Sequence, residues 1–393
     1  MTTSSTAQQR VPGWFTAADC RLDDLRALVE VHTDVSEYPF ADDVRDNVLV
    51  YGPRAYETAR TPEGRRAVQA ELGRALLTGP GVVVLSGAFD TAVVDRVSRV
   101  FETMVTEQRA AGPRDGDFFA PTGENDRVWR ALDKLALRDP EAFAAYYATD
   151  ALAVVSQAWL GRGYQITSQV NVVNPGGKAQ EPHRDYHLGF MSERQCETFP
   201  AHVHGLSPLL TLQGAVAHCD MPVETGPTML LPNSQKYPAG YLAYQQPEFA
   251  AYFQDHFVQL PLATGDAVFF NPAVFHGAGT NRSASVRRTA NLLQISSPFG
   301  RAMETVDRDA MCRALYPVLL SYKASGVSEQ AIENVVAASA EGYAFPTDLD
   351  RDPPVGGLAP ASQADLVRTA LTAGTSPEEL GAVLDALARR RDL

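Results

Sequence analysis

The stretch YQITSQVNVVNPGGKAQEPHRDYHLGF (164–190) decides more of the fold than any other. Residues 164–173, rich in Val, Ile, Thr and Gln, read as a strand that Asn174-Pro175-Gly176-Gly177 ends. In the polar segment that follows, His183 and Asp185 stand two positions apart. On extended backbone, residues i and i+2 point to the same face, so an imidazole and a carboxylate converge there. Runs of similar character continue to about residue 298: LLTLQGAVAH, TMLL, FVQLPL, AVFF and ANLLQIS, bounded by Gly, Pro, Asn and Asp. Short strands with turn signals at this spacing argue for an antiparallel sandwich or barrel.

The flanks change character. Residues 1 to about 160 read mainly as helices. Thr61-Pro62 is an N-cap followed by Pro at the first helical position, opening a helix through Leu77 that Gly79-Pro80-Gly81 stops. VVVLSG (82–87) is a short buried strand, and a helix runs from Asp90 to about Ala110. Asp139-Pro140 caps another that runs towards Trp159 and ends at Gly161. Residues 299–393 return to helices. In the last, Ser376 and Glu379 form a capping box, and Leu380, Val383, Leu384 and Leu387 make one apolar stripe. That stripe is expected to pack on the domain or on the partner of a homodimer.

Composition narrows the setting. The chain has 393 residues, 45% apolar and 21% charged, which suits a water-soluble fold with a sizeable core. A formal net charge of -13 repels phosphate backbones and anionic lipid, so neither nucleic acid nor a membrane surface is an expected partner. Cys20, Cys196, Cys219 and Cys312 are far apart and form no CxxC pair, which fits a reducing, cytoplasmic setting. The first residues, MTTSSTAQQRVPGWF, hold no apolar h-region, so no secretion signal is expected, and no run approaches the ~20 residues that span a bilayer.

His183 and Asp185 need a third ligand from a distant strand. His276, in TGDAVFFNPAVFHGAGTNRS, is the candidate: it stands at a strand start, followed by small residues that leave room for a cofactor. Two His and one carboxylate on one face of an octahedral metal leave three positions open, the facial triad of non-haem Fe(II) oxygenases. Those positions take a bidentate 2-oxo acid and O2. A second HxD, His218-Cys219-Asp220, follows a long apolar strand and is read as a strand end and a turn. His202 and His204 lie in a polar connection read as a surface or lid loop, and His32 and His256 are read as structural. The distal carboxylate of 2-oxoglutarate needs a planar bidentate donor, which Arg supplies. Arg287 and Arg288 lie eleven and twelve residues past His276. Arg287 is the expected anchor, with the Thr289 hydroxyl on the same strand face; Arg282 lies in the turn and is expected to be solvated.

Four segments in order resemble the phytanoyl-CoA dioxygenase family of Fe(II)/2-oxoglutarate oxygenases: PGVVVLSG, PGGKAQEPHRDYHLG, ETGPTMLLPNSQKY and ATGDAVFFNPAVFHGAGTNRSASVRR. They cover roughly residues 80–298. The resemblance implies a mainly β core with helices, a double-stranded β-helix (jelly roll) flanked by N- and C-terminal helical regions. It implies Fe(II), 2-oxoglutarate and O2 as cofactor and cosubstrates. It puts iron on His183, Asp185 and His276 and the cosubstrate on Arg287, with Gln169 as a further contact. The chain departs from the family where Asn233-Ser234-Gln235 replaces Gly-Ser-His and where Ala278 replaces a Ser. Residues 1–79 are then an N-terminal helical region, 80–298 the oxygenase core and 299–393 a C-terminal helical extension.

The expected reaction is hydroxylation of an unactivated C–H bond in a small or mid-sized organic molecule, releasing succinate and CO2. Desaturation, epimerisation or cyclisation uses the same ligands, and a non-catalytic jelly-roll binding protein is the reading from another class. Two connections are expected to shape the pocket: residues 112–127, with Phe118 and Phe119, and residues 189–208.

Overall fold

The computed structural model describes residues 13–111, 123–344 and 349–391. Its strands are β1 (Asp43–Arg45), β2 (Val48–Tyr51), β3 (Val82–Leu85), β4 (Asn125–Val128), β5 (Gln165–Val173), β6 (Thr211–Ala217), β7 (Met229–Leu231), β8 (Ala267–Phe270), β9 (Phe275–Gly277) and β10 (Arg288–Ser296). Eight of them form one mixed sheet in the order β1-β2-β3-β8-β6-β10-β5-β4. Its β2–β3 pair is parallel, and the others are antiparallel. Strands β7 and β9 make a second, small sheet. Backbone bridges widen it, His183 to His276 beside β9 and Val258 to Leu230 beside β7.

Alternation along the large sheet splits its side chains between two cores. Leu49, Tyr51, Val83, Leu85, Val170, Val172, Phe269, Leu293 and Ile295 face the helices. Val48, Val50, Val82, Val84, Ala215, Ala217, Val268, Phe270 and Ala290 face inwards with Leu230 of the small sheet. Because both faces are covered, β2, β3 and β8 are buried at every position, and their sequences run apolar without alternation.

The helices largely follow the expected caps. Thr61 accepts from the Gly64 amide and opens Pro62–Leu77. The helix expected from Pro140 to Trp159 is two helices, Pro140–Tyr147 and Asp150–Leu160. The break lets each half serve a different neighbour. Pro140–Tyr147 packs on Ala131–Arg138, and Asp150–Leu160 packs on Pro62–Leu77. At the C-terminus the Ser376–Glu379 box caps Pro377–Arg391. Leu380, Leu384 and Leu387 of its stripe are buried against this chain's own helices Arg308–Ala324 and Gln363–Ala373.

Two features depart from the sequence reading, a hairpin within the mainly helical N-terminal region and the FVQLPL segment, while residues of both expected loop connections line the cavity described below. The N-terminal region is not all helical, because β1 and β2 form a hairpin at the edge of the large sheet. Asp46 and Asn47 occupy its turn with φ of 48° and 66°, the left-handed pair that a two-residue hairpin turn requires. FVQLPL forms no regular strand but touches its neighbours through bridges at Val258 and Leu262, because Pro261 between them lacks an amide donor. Of residues 112–127, Phe118 and Phe119 lie outside the described residues, and Asn125–Val128 is the edge strand β4. Residues 189–208 fold mostly into short helices, Glu193–Cys196 and Ala201–Leu206, with Phe190 exposed before them. Among the described residues no helix is long and apolar enough to cross a membrane.

Candidate active site

A cavity of about 780 Å³ lies between the two sheets. His183, Asp185 and His276 line it. Among the described residues they are the one group of three metal-capable side chains whose ligand atoms come together, all within 4.8 Å of one another. The backbone sets this meeting. His183 N donates to His276 O at 2.9 Å, and His276 N donates to His183 O at 3.1 Å, so the two residues sit directly opposite each other across an antiparallel pair. Asp185, two positions on, brings its carboxylate to 3.2 Å from His276 Nε2 and 3.8 Å from His183 Nε2.

Both imidazoles have a fixed tautomer. His183 Nδ1 lies 2.8 Å from Glu181 O and His276 Nδ1 lies 2.9 Å from Val274 O. A carbonyl only accepts, so each Nδ1 carries a proton and donates. The Nε2 lone pairs then face a carboxylate, acceptor against acceptor, unless a proton or a metal cation lies between them. Such a donor set fits a divalent iron: two neutral imidazoles, each oriented by a carbonyl, and one anion. Burial and the neighbouring His276 push His183 below its ordinary value and keep it neutral. For Asp185 burial opposes the charge, but His276, His183 and the Gln213 amide outweigh it and hold the carboxyl well below the usual range.

Arg184, between His183 and Asp185, points the opposite way and is fully buried. Its guanidinium donates to Ser234 O and Tyr237 O and lies 5.0 Å from the ring centroids of both Tyr241 and Phe275. A Cβ on Gly240 would fall 1.9 Å from it, so only glycine leaves that cradle open. Ser234 also accepts from the Phe275 amide at 2.7 Å. Arg184 thereby ties the segment bearing His183 and Asp185 to the strand bearing His276.

The arginines are placed otherwise than expected. Strand β10 starts at Arg288, and its inward positions are Arg288, Ala290, Leu292 and Gln294, all lining the cavity. Arg287 lies on the outer side, bonded to Glu102 at 2.8 Å and Asn174 at 3.3 Å. Thr289 also faces out, its hydroxyl bonded to Arg287 O, beside a smaller cavity that His218 lines. Neighbours on a strand take opposite faces, so a one-residue difference in where the strand starts exchanges them. Arg288 is buried, and among the described residues no carboxylate pairs with it. It leans on Thr225 O and Gly279 O at 3.4 Å, and burial pushes it down to about 10. Gln169 does face the cavity, accepting from Arg127 Nη1 at 2.8 Å and donating to Gln294 at 3.3 Å.

The other histidines lie elsewhere. His218 is buried behind the large sheet between Ser98 (2.8 Å) and Tyr146 (3.0 Å), and burial pulls it down to about 3. Asp220 accepts from the amide and hydroxyl of Thr264 in a turn. His204 is buried and bonds Cys196 O, His202 and His32 are exposed, and His256 stacks on Tyr252.

The family model for phytanoyl-CoA dioxygenase (PhyH) matches residues 78–289. The chain belongs to the phytanoyl-CoA dioxygenase family. As a member it is an oxidoreductase, a dioxygenase that depends on Fe(II) and 2-oxoglutarate. Two curated dioxygenases are similar. Dioxygenase cdmD of Talaromyces verruculosus is 25% identical over 222 residues, 53% of this chain and 68% of its own length. Dioxygenase trt7 of Aspergillus terreus (strain NIH 2624 / FGSC A1156) is 30% identical over 132 residues, 34% of this chain and 41% of its own. Among solved structures, the non-heme alpha ketoglutarate dependent epimerase SnoN from nogalamycin biosynthesis aligns at 19% identity and a TM-score of 0.38, over 59% of this chain and 84% of that one. The carbocyclase SnoK from the same biosynthesis aligns at 18% and 0.38, over 60% and 84%.

Proposed function

We propose that this phytanoyl-CoA dioxygenase family member holds Fe(II) on His183, Asp185 and His276 and hydroxylates an unactivated C–H bond of a small or mid-sized organic molecule. The observation that carries the reading is the convergence of two Nε2 lone pairs and one carboxylate at a cavity wall. The two sheets, facing each other across the cavity, are read as the halves of a double-stranded β-helix. When bound, the iron supplies the oxidising chemistry that couples O2 and 2-oxoglutarate to C–H cleavage.

The chain's own residues divide the remaining work. Arg288 replaces Arg287 as the anchor for the distal carboxylate of 2-oxoglutarate: it is a buried guanidinium on the cavity wall with no carboxylate partner among the described residues. A site of that kind selects a planar anion that accepts two parallel hydrogen bonds. Gln169 and Arg127 shape the wall on the β4–β5 side. Trp129, Phe190, Tyr244 and Met303 add apolar surface for an organic substrate, and the volume suits one of moderate size. Because Asp185 is a carboxylate, it takes the position that a halide would need, and oxygen insertion is favoured over halogenation.

The test is succinate release by the iron-loaded chain across a panel of candidate substrates, with metal binding measured alongside. H183A should lose metal and turnover, whereas H218A should keep its metal. A His218 variant that lost iron while the His183 variant kept it would overturn the assignment.

A further inference from the structure

Gln213 stands on β6 facing the cavity, between Phe270 of β8 and Gln294 of β10 in the sheet register. Its Nε2 donates to Asp185 Oδ2 at 2.5 Å, the oxygen that also lies 3.2 Å from His276 Nε2, while Oδ1 lies 3.8 Å from His183 Nε2. Its Oε1 is buried and finds no partner among the described residues. The opposite amide orientation would set Oε1 against the carboxylate, so the bond to Asp185 is what fixes the side chain. Gln294 does not compete for it, since its own Oε1 accepts from Thr167 and Gln169.

We infer that Gln213 is a positioning residue that holds Asp185 through Oδ2, so that the carboxylate is turned to offer a metal its Oδ1 rather than both oxygens. The inference rests on the metal assignment above. A carboxylate free to bind through both oxygens takes two coordination positions. Two imidazoles and a one-oxygen carboxylate leave three, the number that a chelating 2-oxo acid and O2 together require. Groups that hydrogen-bond to metal-ligating side chains commonly set affinity or activity within a range of about 10- to 100-fold. Gln213 meets the requirements for such a group: its donor is aimed, its other atom has no competing use, and it comes from a strand that carries no ligand.

The test uses Co(II) as the metal probe on the full chain. Q213L keeps the side-chain volume and removes the donor; Q213E keeps the shape and turns the donor into an acceptor. Both variants should melt without metal within a few degrees of the parent chain. Co(II) dissociation constants should rise about 10- to 100-fold. The visible Co(II) spectrum of Q213L should shift to that of a higher coordination number, and 2-oxoglutarate should perturb it less than in the parent chain. A merely packed glutamine would leave the Q213L affinity and spectrum unchanged, and that result overturns the inference while the metal assignment stands. A parent chain that binds no Co(II) overturns both. Should Q213L fail to fold, Q213M carries the same expectation, and parent-like Co(II) binding by Q213M overturns the inference equally.

Discussion

Replacing Arg288 by Met should move ligand-free stability and cosubstrate affinity in opposite directions. Burial pushes the guanidinium from an ordinary 12.5 down to about 10, which corresponds to roughly 3 kcal/mol against holding the charge there. No carboxylate among the described residues offsets it, and its bonds to Thr225 O and Gly279 O are long at 3.4 Å. Met keeps most of the aliphatic stem, so the ligand-free R288M chain should gain about 1–3 kcal/mol in urea unfolding. The same change removes the charge-assisted anchor proposed for 2-oxoglutarate. Loss of one partner of such a buried pair costs about 2–5 kcal/mol, or a rise in Kd of roughly 30- to 4,000-fold. Calorimetric titration of the Co(II)-loaded chain with 2-oxoglutarate reads this directly. R287M is the control: it breaks a half-exposed pair with Glu102, worth at most about 1 kcal/mol, and should change Kd less than about fivefold. The reasoning is refuted if R288M binds 2-oxoglutarate like the parent chain while R287M does not, or if ligand-free R288M is clearly the less stable protein.

Further outcomes follow from other sites. His218 takes up its proton at about 3 in the folded chain and near 6.5 when unfolded. As pH falls below about 6.5 the unfolded state binds the extra proton, and stability drops by about 1.4 kcal/mol per pH unit; H218Q should remove about 2 kcal/mol of the loss between pH 6.5 and 5, and parallel pH profiles would argue against a buried neutral imidazole. G240A should destabilise by about 1–3 kcal/mol, because the new Cβ falls on the Arg184 guanidinium; combining it with R184M should recover part of that, measured by urea unfolding. Turnover in chloride buffer under heavy-isotope O2 should give a product with one heavy oxygen and no chlorine. A chlorinated product would contradict the role given to Asp185, while one lighter by two hydrogens would move the outcome to desaturation or ring closure.

Strand runs, helix caps and the meeting of Asp185 with His183 were legible because each rests on local chemistry: apolar, β-branched runs bounded by turn residues, Pro at a first helical position, a two-residue spacing on extended backbone. The choice between Arg287 and Arg288 was not. It depends on where β10 begins, which the Asn281 side chain helps set by bonding Val173 O and Val286 O across the preceding turn. The β1–β2 hairpin went unread although Asp46-Asn47 before VLVY carries its signal, because the surrounding sequence is helical. Arg184 and Gln213 had no signal of their own. A buried arginine answered by carbonyls and rings, or a glutamine answered by a carboxylate from another segment, shows only once the chain is folded.

The reciprocal main-chain pairing of His183 and His276 bears on how this protein tolerates redesign. The spacing of the two imidazoles comes from the sheet repeat rather than from the packing of their side chains. Substitutions along β4, β5 and the Phe190 segment can therefore reshape the cavity while leaving that spacing in place. Insertions behave differently. A single added residue between Gln180 and His183 would shift the register by one and turn His183 and Asp185 to the far face. A library built to change what this cavity accepts should vary side chains freely there and keep chain length fixed.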